Sequence, residues 1–353
     1  MSDRDSQDDV GTLASYDPMD DIDRILRRWE ERDADDEVER LLLINHWLET
    51  GTIIAQPELH EVFHRRYTDR FRVIHDPQRL DCRGVPGHSP HMKMLACVKL
   101  LANGIAADAN DDYVRMGKTT QYFYLKRFCR NIVKLFGPRY LRKPTPDDVK
   151  RLLKENDERG FPGMLGSVDC MYWPWKNCPT SWAGQYKGYK PWPSIVLEAV
   201  ASYDRWFWHA FFGMPGSCND LNVLDASPPF DNILSEDAPQ VDVRINGHRY
   251  DMGYYLADGI YPILSTIVQS YKQPHNQQQT LFNGYQMGKR KDVERAFGIP
   301  QAKFHIVAGP VRYWDEDDLK YIMKTCIILH NMISEDERRH GAWKTPGAGE
   351  MRI

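Results

Sequence analysis

Apolar and polar positions change rhythm several times along the chain. From Ile25 to Glu49 (ILRRWEERDADDEVERLLLINHWLE) the pattern predicts helix, with Ile25, Leu26 and Trp29 and then Leu41 to Leu43 as apolar faces. Residues 60–90 are irregular: basic and aromatic (HRRYTDRFRVIHD), then turn-rich (RGVPGHSPH). Helical spacing returns over 91–137. Met92, Leu95, Val98, Leu100 and Leu101 fit one helix that stops at Asn103-Gly104. IAADANDDYVR predicts a short second helix. MGKTTQYFYLKRFCRNIVKLFG opens a third, with Thr119 or Thr120 as N-cap and apolar residues at Phe123, Leu125, Phe128, Ile132, Val133 and Leu135. Three short helices with a turn before the last suggest a helix-turn-helix. KPTPDDVKRLLKENDERG (Lys143 to Gly160) is a further helix, capped by Thr145 ahead of Pro146.

After Gly163 the rhythm becomes mixed. Met164–Val168, Ser194–Tyr203, Trp206–Phe212 and Tyr254–Ala257 read as strands, and Asp204-Arg205 suits a hairpin. A helix opens near Leu221, another spans Gly288–Phe297, and Asp315 caps a long one (EDDLKYIMKTCIILHNMI). The expected organisation is an acidic disordered arm (1–22), a helical and irregular N-terminal region (23–90), a helical helix-turn-helix-like region (91–160), a mixed α/β domain (161–340) and a tail (341–353).

Charge sharpens this division. Residues 1–40 carry 15 acidic and 6 basic side chains, a net of −9, so the rest is +5 within a whole-chain charge of −4. A mildly basic body behind an acidic arm is compatible with a nucleic-acid partner, and equally with an ordinary solvated surface. The seven scattered cysteines form no CxxC pair, which argues against a zinc ribbon and for a reducing compartment. No apolar stretch is long enough for a membrane span. MGKTT resembles a phosphate-binding loop. Position 112 is Asp where that loop needs Gly, and no strand precedes it, so a nucleotide site is rejected. In the helix-turn-helix reading Lys118, Thr119, Thr120 and Gln121 open the recognition helix; the plain alternative is an N-capped core helix.

GMLGSVDCMYWPW (Gly163 to Trp175) sets a carboxylate, Asp169, after an apolar run. Strands disfavour Asp, and a buried carboxylate needs a cation, a donor or a metal ion. Asp258 ends the strand of YYLADGIYP in the same way, and Glu294 lies on the helix of KDVERAFG. Two strand-borne Asp residues stand side by side only if their repulsion is neutralised, and a pair of divalent cations with a helical Glu does that. Each acid also has a plain reading: a turn-former at Asp169, an Asp-Gly turn at Asp258, an ion pair with Arg290 or Arg295 at Glu294.

The stretches PGMLGSVDCMYWPWKNCP, IVLEAVASYDRWFWHAFFGMPGSCNDLNVLDASP, INGHRYDMGYYLADGIYP, RKDVERAFGI and CIILHNMISEDER resemble, in order, the PIF/Harbinger-type DDE-superfamily transposases, especially the plant transposon-protein branch. The resemblance covers residues 161–335. It implies a ribonuclease-H-like fold, with Asp169, Asp258 and Glu294 as catalytic metal-binding acids that share a pair of divalent cations, Mg²⁺ or Mn²⁺. It places Asp220, in GSCNDLNVL, near the site as a further ligand or orienting group; its alternative is a helix N-cap. It implies cleavage of DNA at transposon ends and joining of the 3′-hydroxyl ends to target DNA, a nuclear location, a homo-oligomer and a Myb-like DNA-binding partner protein. Lys289, Arg290 and Lys291 would meet DNA phosphates, or form a solvated basic face. Trp173, Trp175 and Trp182 are core residues or base-stacking ones, and His330 is a satisfied buried histidine. Pro300 should break or kink the helix a turn after Glu294. The second function class is a transposase-derived DNA- or protein-binding factor without catalysis.

Overall fold

The computed structural model describes residues 90–227, 240–245 and 247–339, with Gly84, Gly87 and His88. The acidic arm, the helix expected over 25–49, most of the irregular stretch 60–90 and the tail 341–353 lie outside the described residues.

The helical part begins with α1 (Pro90–Asn103). Gly104 ends it with φ +59°, and a Cβ there would strike the backbone of His305 and Ile306. The close approach brings the end of α1 onto the short helix between the two long C-terminal helices. A 3₁₀ turn (Ala107–Asn110) leads into α2 (Asp111–Val114) and then α3 (Lys118–Tyr140). The N-cap of α3 is Gly117, not Thr119 or Thr120, which both lie inside the first turn. α4 (Pro146–Glu158) begins with a reciprocal capping box between Thr145 and Asp148.

β1 (Met164–Pro174), β2 (Ser194–Ala201) and β3 (Phe207–Pro215) form an antiparallel meander. The turn between β2 and β3 holds Arg205 at φ +64°. A one-turn helix α5 (Ala183–Tyr186) lies between β1 and β2, and α6 (Asp220–Ala226) follows β3. β4 (Gln240–Ile245) and β5 (His248–Met252) make a separate two-stranded hairpin, which is not among the expected strands. The chain then enters β6 (Tyr254–Leu256), which runs parallel to β1, and β7 (Ile267–Val268), parallel to β6. The main sheet has the order β3-β2-β1-β6-β7, antiparallel on one side of β1 and parallel on the other.

Helices cover both faces. α7 (Gln277–Lys303), the short α8 (His305–Ala308) and α9 (Glu316–Arg339) complete the chain. Residues alternate across β1 because successive side chains of a strand point to opposite faces. Asp169, Met171 and Trp173 point to one face. There Leu197, Ala199 and Phe207 join residues of α1, α3, α7 and α9 in one core. Val168, Cys170 and Tyr172 point to the other, where Val168 and Val200 pack with Leu224 of α6, Val149 of α4 and Tyr255. Asn331 of α9 ties the first layer together. Its amide donates to the carbonyls of Phe207 and Tyr140 at 2.8 and 2.6 Å and accepts from the Phe207 N–H at 3.0 Å. His330 is buried with Nε2 against the Arg205 carbonyl at 2.9 Å, as the sequence reading expected of a core histidine. Trp173 and Trp175 are also core residues, each 1 % exposed.

The expected break does not occur: α7 runs unbroken through Pro300 to Lys303. Pro300 sits in the last turn, among the buried residues Val293, Ala296 and Phe297, so it forfeits one backbone bond near an end.

Candidate active site

Asp169 lies on β1 facing α7. Its Oδ2 accepts from Arg290 Nη1 at 3.2 Å, and its Oδ1 accepts the Cys170 N–H at 2.8 Å. The same guanidinium reaches one helical turn onward to Glu294 Oε1 at 2.9 Å. One cation therefore stands between two of the three predicted acids. Burial raises the Asp169 carboxyl to about 6; the Cys170 N–H and Arg290 resist, and Glu294 and Asp220 add to the rise. A carboxylate so crowded gains from any further positive charge.

Asp258 follows from register. Ser167 pairs with Leu256 in the parallel β1–β6 ladder. Asp169 and Asp258 lie two residues beyond these partners, Asp169 in the middle of β1, which runs on to Pro174, and Asp258 just past the end of β6, so the strand predicted to stop at Val168 carries its acid internally and the two acids meet where β6 ends. Asp258 is exposed, and its Oδ1 accepts the Gly259 N–H at 2.7 Å, as an Asp-Gly turn does.

α7 is held over this end by groups the motif reading passed over. Gln286 is 1 % exposed and donates to the carbonyls of Ala257 and Val268 at 3.0 and 3.1 Å, clamping the helix to the ends of β6 and β7. Asp292 is buried and pairs with Arg159 at the end of α4 at 2.5 Å and with Arg295 at 3.2 Å. Gln286 shares a helical stripe with Val293, Phe297 and Pro300, and a polar residue in an apolar stripe was the available signal.

Asp220 lies on the opposite face of β1. Its Oδ1 accepts from the Tyr172 hydroxyl at 2.9 Å. It is not the N-cap of α6; Asn219 is, accepting from the Asn222 N–H at 2.9 Å. Below it lies Glu198, paired across the sheet with Cys170 and fully buried. Neither of its carboxylate oxygens finds a donor in hydrogen-bonding geometry. Burial lifts this carboxyl to about 8, with the Ser227 hydroxyl opposing and the Asp220 charge assisting. The sequence signal was the same as for Asp169: one acid inside an apolar strand, SIVLEAVA.

The predicted basic residues separate. Lys291 is exposed, Lys289 is half-buried, and Arg290 is committed to the acids. At the start of α3, Lys118 and Thr119 are exposed, with Lys118 paired to Asp108 at 2.9 Å, and Thr120 is half-buried. Gln121 points inward: it is fully buried and bonds to Asn110, Asp111 and the carbonyls of Ala107 and Met116. It fastens the turn before α3 and is not presented to a base edge.

The donors around Asp169 are all hard oxygens, the type that Mg²⁺ and Mn²⁺ take. Among the described residues no group of three or more His, Cys, Asp or Glu side chains is already gathered as a metal cage. The acids fit a divalent cation in chemistry and in their need for positive charge, provided Arg290 yields its place between Asp169 and Glu294.

The geometry defines an α/β protein with one carboxylate inside the central strand of a mixed sheet, one just past the end of the neighbouring strand and a further acid on the covering helix. A family model described as plant transposon protein matches residues 138–341, more than half of the chain, and the chain belongs to that family. It is a Harbinger-type, transposase-like protein, as its motifs indicated. Protein ALP1-like of Arabidopsis thaliana is 27% identical over 192 residues, 50% of this chain and 45% of that protein. The chain thus spans a little under half the length of this curated relative. No solved structure matches.

Proposed function

We propose that the protein is a divalent-metal-dependent DNA endonuclease and transposase, cutting phosphodiesters at transposon ends and joining the 3′-hydroxyl ends to target DNA. The observation that carries this is the sharing of Arg290 by Asp169 and Glu294, beside the end of β6 that Asp258 follows. The strand order, with an antiparallel three-stranded meander whose first strand continues into two parallel ones, supports a ribonuclease-H-like fold. Family membership supports the reaction class.

Asp169, Asp258 and Glu294 would hold one or two Mg²⁺ or Mn²⁺ ions, with Asp220 as a further ligand or an orienting group through Tyr172. When bound, such ions activate the attacking oxygen and steady the leaving one. The chain's own contribution is placement. Gln286 and the Arg159–Asp292 pair fix α7, so that Glu294 meets Asp169 without rearrangement of the backbone. Lys291, and Arg290 once released, would meet the phosphates of the entering strand and make binding salt-dependent. Lys118, Thr119 and Thr120 at the start of α3 are the proposed duplex contacts. Action in the nucleus, as a homo-oligomer and with a Myb-like partner, belongs to the same proposal.

A second reading is a DNA- or protein-binding factor that no longer cuts. Its support is the Arg290 guanidinium already balancing the acids. Nicking of supercoiled plasmid by the full chain separates the two. Nicking with Mg²⁺ or Mn²⁺ that stops in excess EDTA is expected of the nuclease. Binding without nicking in either metal would leave the factor.

A further inference from the structure

Between β1 and β2 the chain runs KNCPTSWAGQYKGYKPWP, residues 176–193. This segment interleaves Trp182, Tyr186, Tyr189 and Trp192 with Lys176, Lys187 and Lys190, and contains no acidic residue. Aromatic rings usually bury themselves, yet three of these four do not. Tyr189 is 73% exposed, Trp192 48% and Trp182 43%.

The segment is fixed in place. A Cβ at Gly188 would run into the carbonyl of Gly216, and one at Gly216 would run into Ser194 and the Tyr186 carbonyl. The two backbones therefore touch where only glycine fits, and the segment is locked to the turn that leads into Asp220. The Trp175 N–H donates to the Pro193 carbonyl at 2.8 Å and closes the other end. Trp182 is anchored by near-parallel stacking on Tyr186. Tyr189 meets Tyr172 edge-on with ring centroids 5.3 Å apart, and Tyr172 is the hydroxyl that holds Asp220. Lys190 Nζ lies 4.8 Å from the Tyr189 centroid.

We infer that this segment is a stacking platform for an unpaired base of a DNA strand running past the acidic strand end. Exposed rings accept any base by its π-face, and the lysines track the phosphates. A duplex buries its base faces, so the rings select a melted or single-stranded stretch. The absence of acids favours a polyanion over a protein surface, which would bring its own mixed charges. The inference rests on the DNA-cutting reading and adds the state of the strand that the site takes.

The test is fluorescence anisotropy of the full chain with a labelled single-stranded oligonucleotide and its duplex, in EDTA so that cleavage plays no part. Tyr189→Ala with Trp192→Ala should weaken single-strand binding by roughly tenfold or more, and duplex binding much less. Tyr189→Phe with Trp192→Phe should restore it, because the π-faces return without the polar atoms. Lys187→Ala with Lys190→Ala should flatten the salt dependence for the single strand. Equal single-strand affinity in the wild type and the double alanine variant would overturn the platform, even if duplex binding upheld the DNA reading. So would failure of the phenylalanine pair to rescue, or loss of self-association as the only effect, which would mark the face as an interface between copies. A wild-type chain that binds neither DNA form would remove both inferences together.

Discussion

Glu198 offers a pH dependence that can be worked out before any measurement. Its carboxyl is fully buried, with only the Ser227 hydroxyl to favour its charged form, and is raised to about 8 from the ordinary 4.5. Between those two values the folded protein keeps a proton that the unfolded chain has lost. Stability therefore falls as pH rises through this window, by about 1.4 kcal/mol per pH unit and about 4–5 kcal/mol across the whole of it. The upper part, from about pH 6.5 to about pH 8, isolates the effect at about 2 kcal/mol. Below it two buried histidines work in the opposite direction. Burial lowers His209 to about 4 and His330 to about 3, so they cost stability only as pH falls below their ordinary 6.5. Asp169, raised to about 6, is mostly ionised from the start of this upper part and adds only a small contribution of the same sign as Glu198. Glu198→Gln keeps the size and removes the proton. Urea-unfolding midpoints at both ends of the window should drop with rising pH in the wild type and stay level in the variant. A wild type with no slope, or a variant with the same slope, would refute the reasoning and imply that water or a donor reaches Glu198.

Two further outcomes test other parts of the structure. Asn331→Leu leaves the Phe207 N–H and C=O and the Tyr140 C=O without their buried partner, which should cost at least about 3 kcal/mol; a thermal melt within a degree or two of wild type would contradict the role of Asn331. Arg290→Gln removes the cation between Asp169 and Glu294, so the Asp169 carboxyl should titrate above its present value of about 6; carboxyl-carbon NMR on labelled protein would read this, and an unchanged or lower value would mean that Arg290 is not its principal cation.

Periodicity carried most of the helices and the meander because these segments bury one stripe or one face, and burial leaves a mark on residue spacing. α1, α4 and α9 emerged near their true bounds, with Thr145 and Asp315 as readable caps. The β4–β5 hairpin was passed over, although QVDVRI alternates apolar and polar residues and Asn246-Gly247 is a hairpin-turn signal; only β5, whose side chains are all exposed, lacks a buried face to mark it. α7 is longer than predicted because its first half, Gln277 to Met287, is largely polar or solvent-facing and is held by Gln286 and an Asn276 cap instead of by an apolar stripe. The acids stood out because strands disfavour carboxylates, and the same reasoning applied to SIVLEAVA would have found Glu198. The Arg290–Glu294 pair was one of the readings the sequence left open, beside a phosphate contact; that the same guanidinium also reaches Asp169 was not legible. Which lysine or arginine turns inward is a matter of tertiary packing.

The most direct test of the central proposal is cleavage of DNA by the full chain in Mg²⁺ or Mn²⁺, with Asp169→Asn and Asp258→Asn compared with wild type after circular dichroism has established that all three are folded. Metal-dependent cutting by the wild type and its loss in both variants is the expected result. Undiminished cutting by either folded variant would show that the acids in β1 and just past β6 do not perform the reaction.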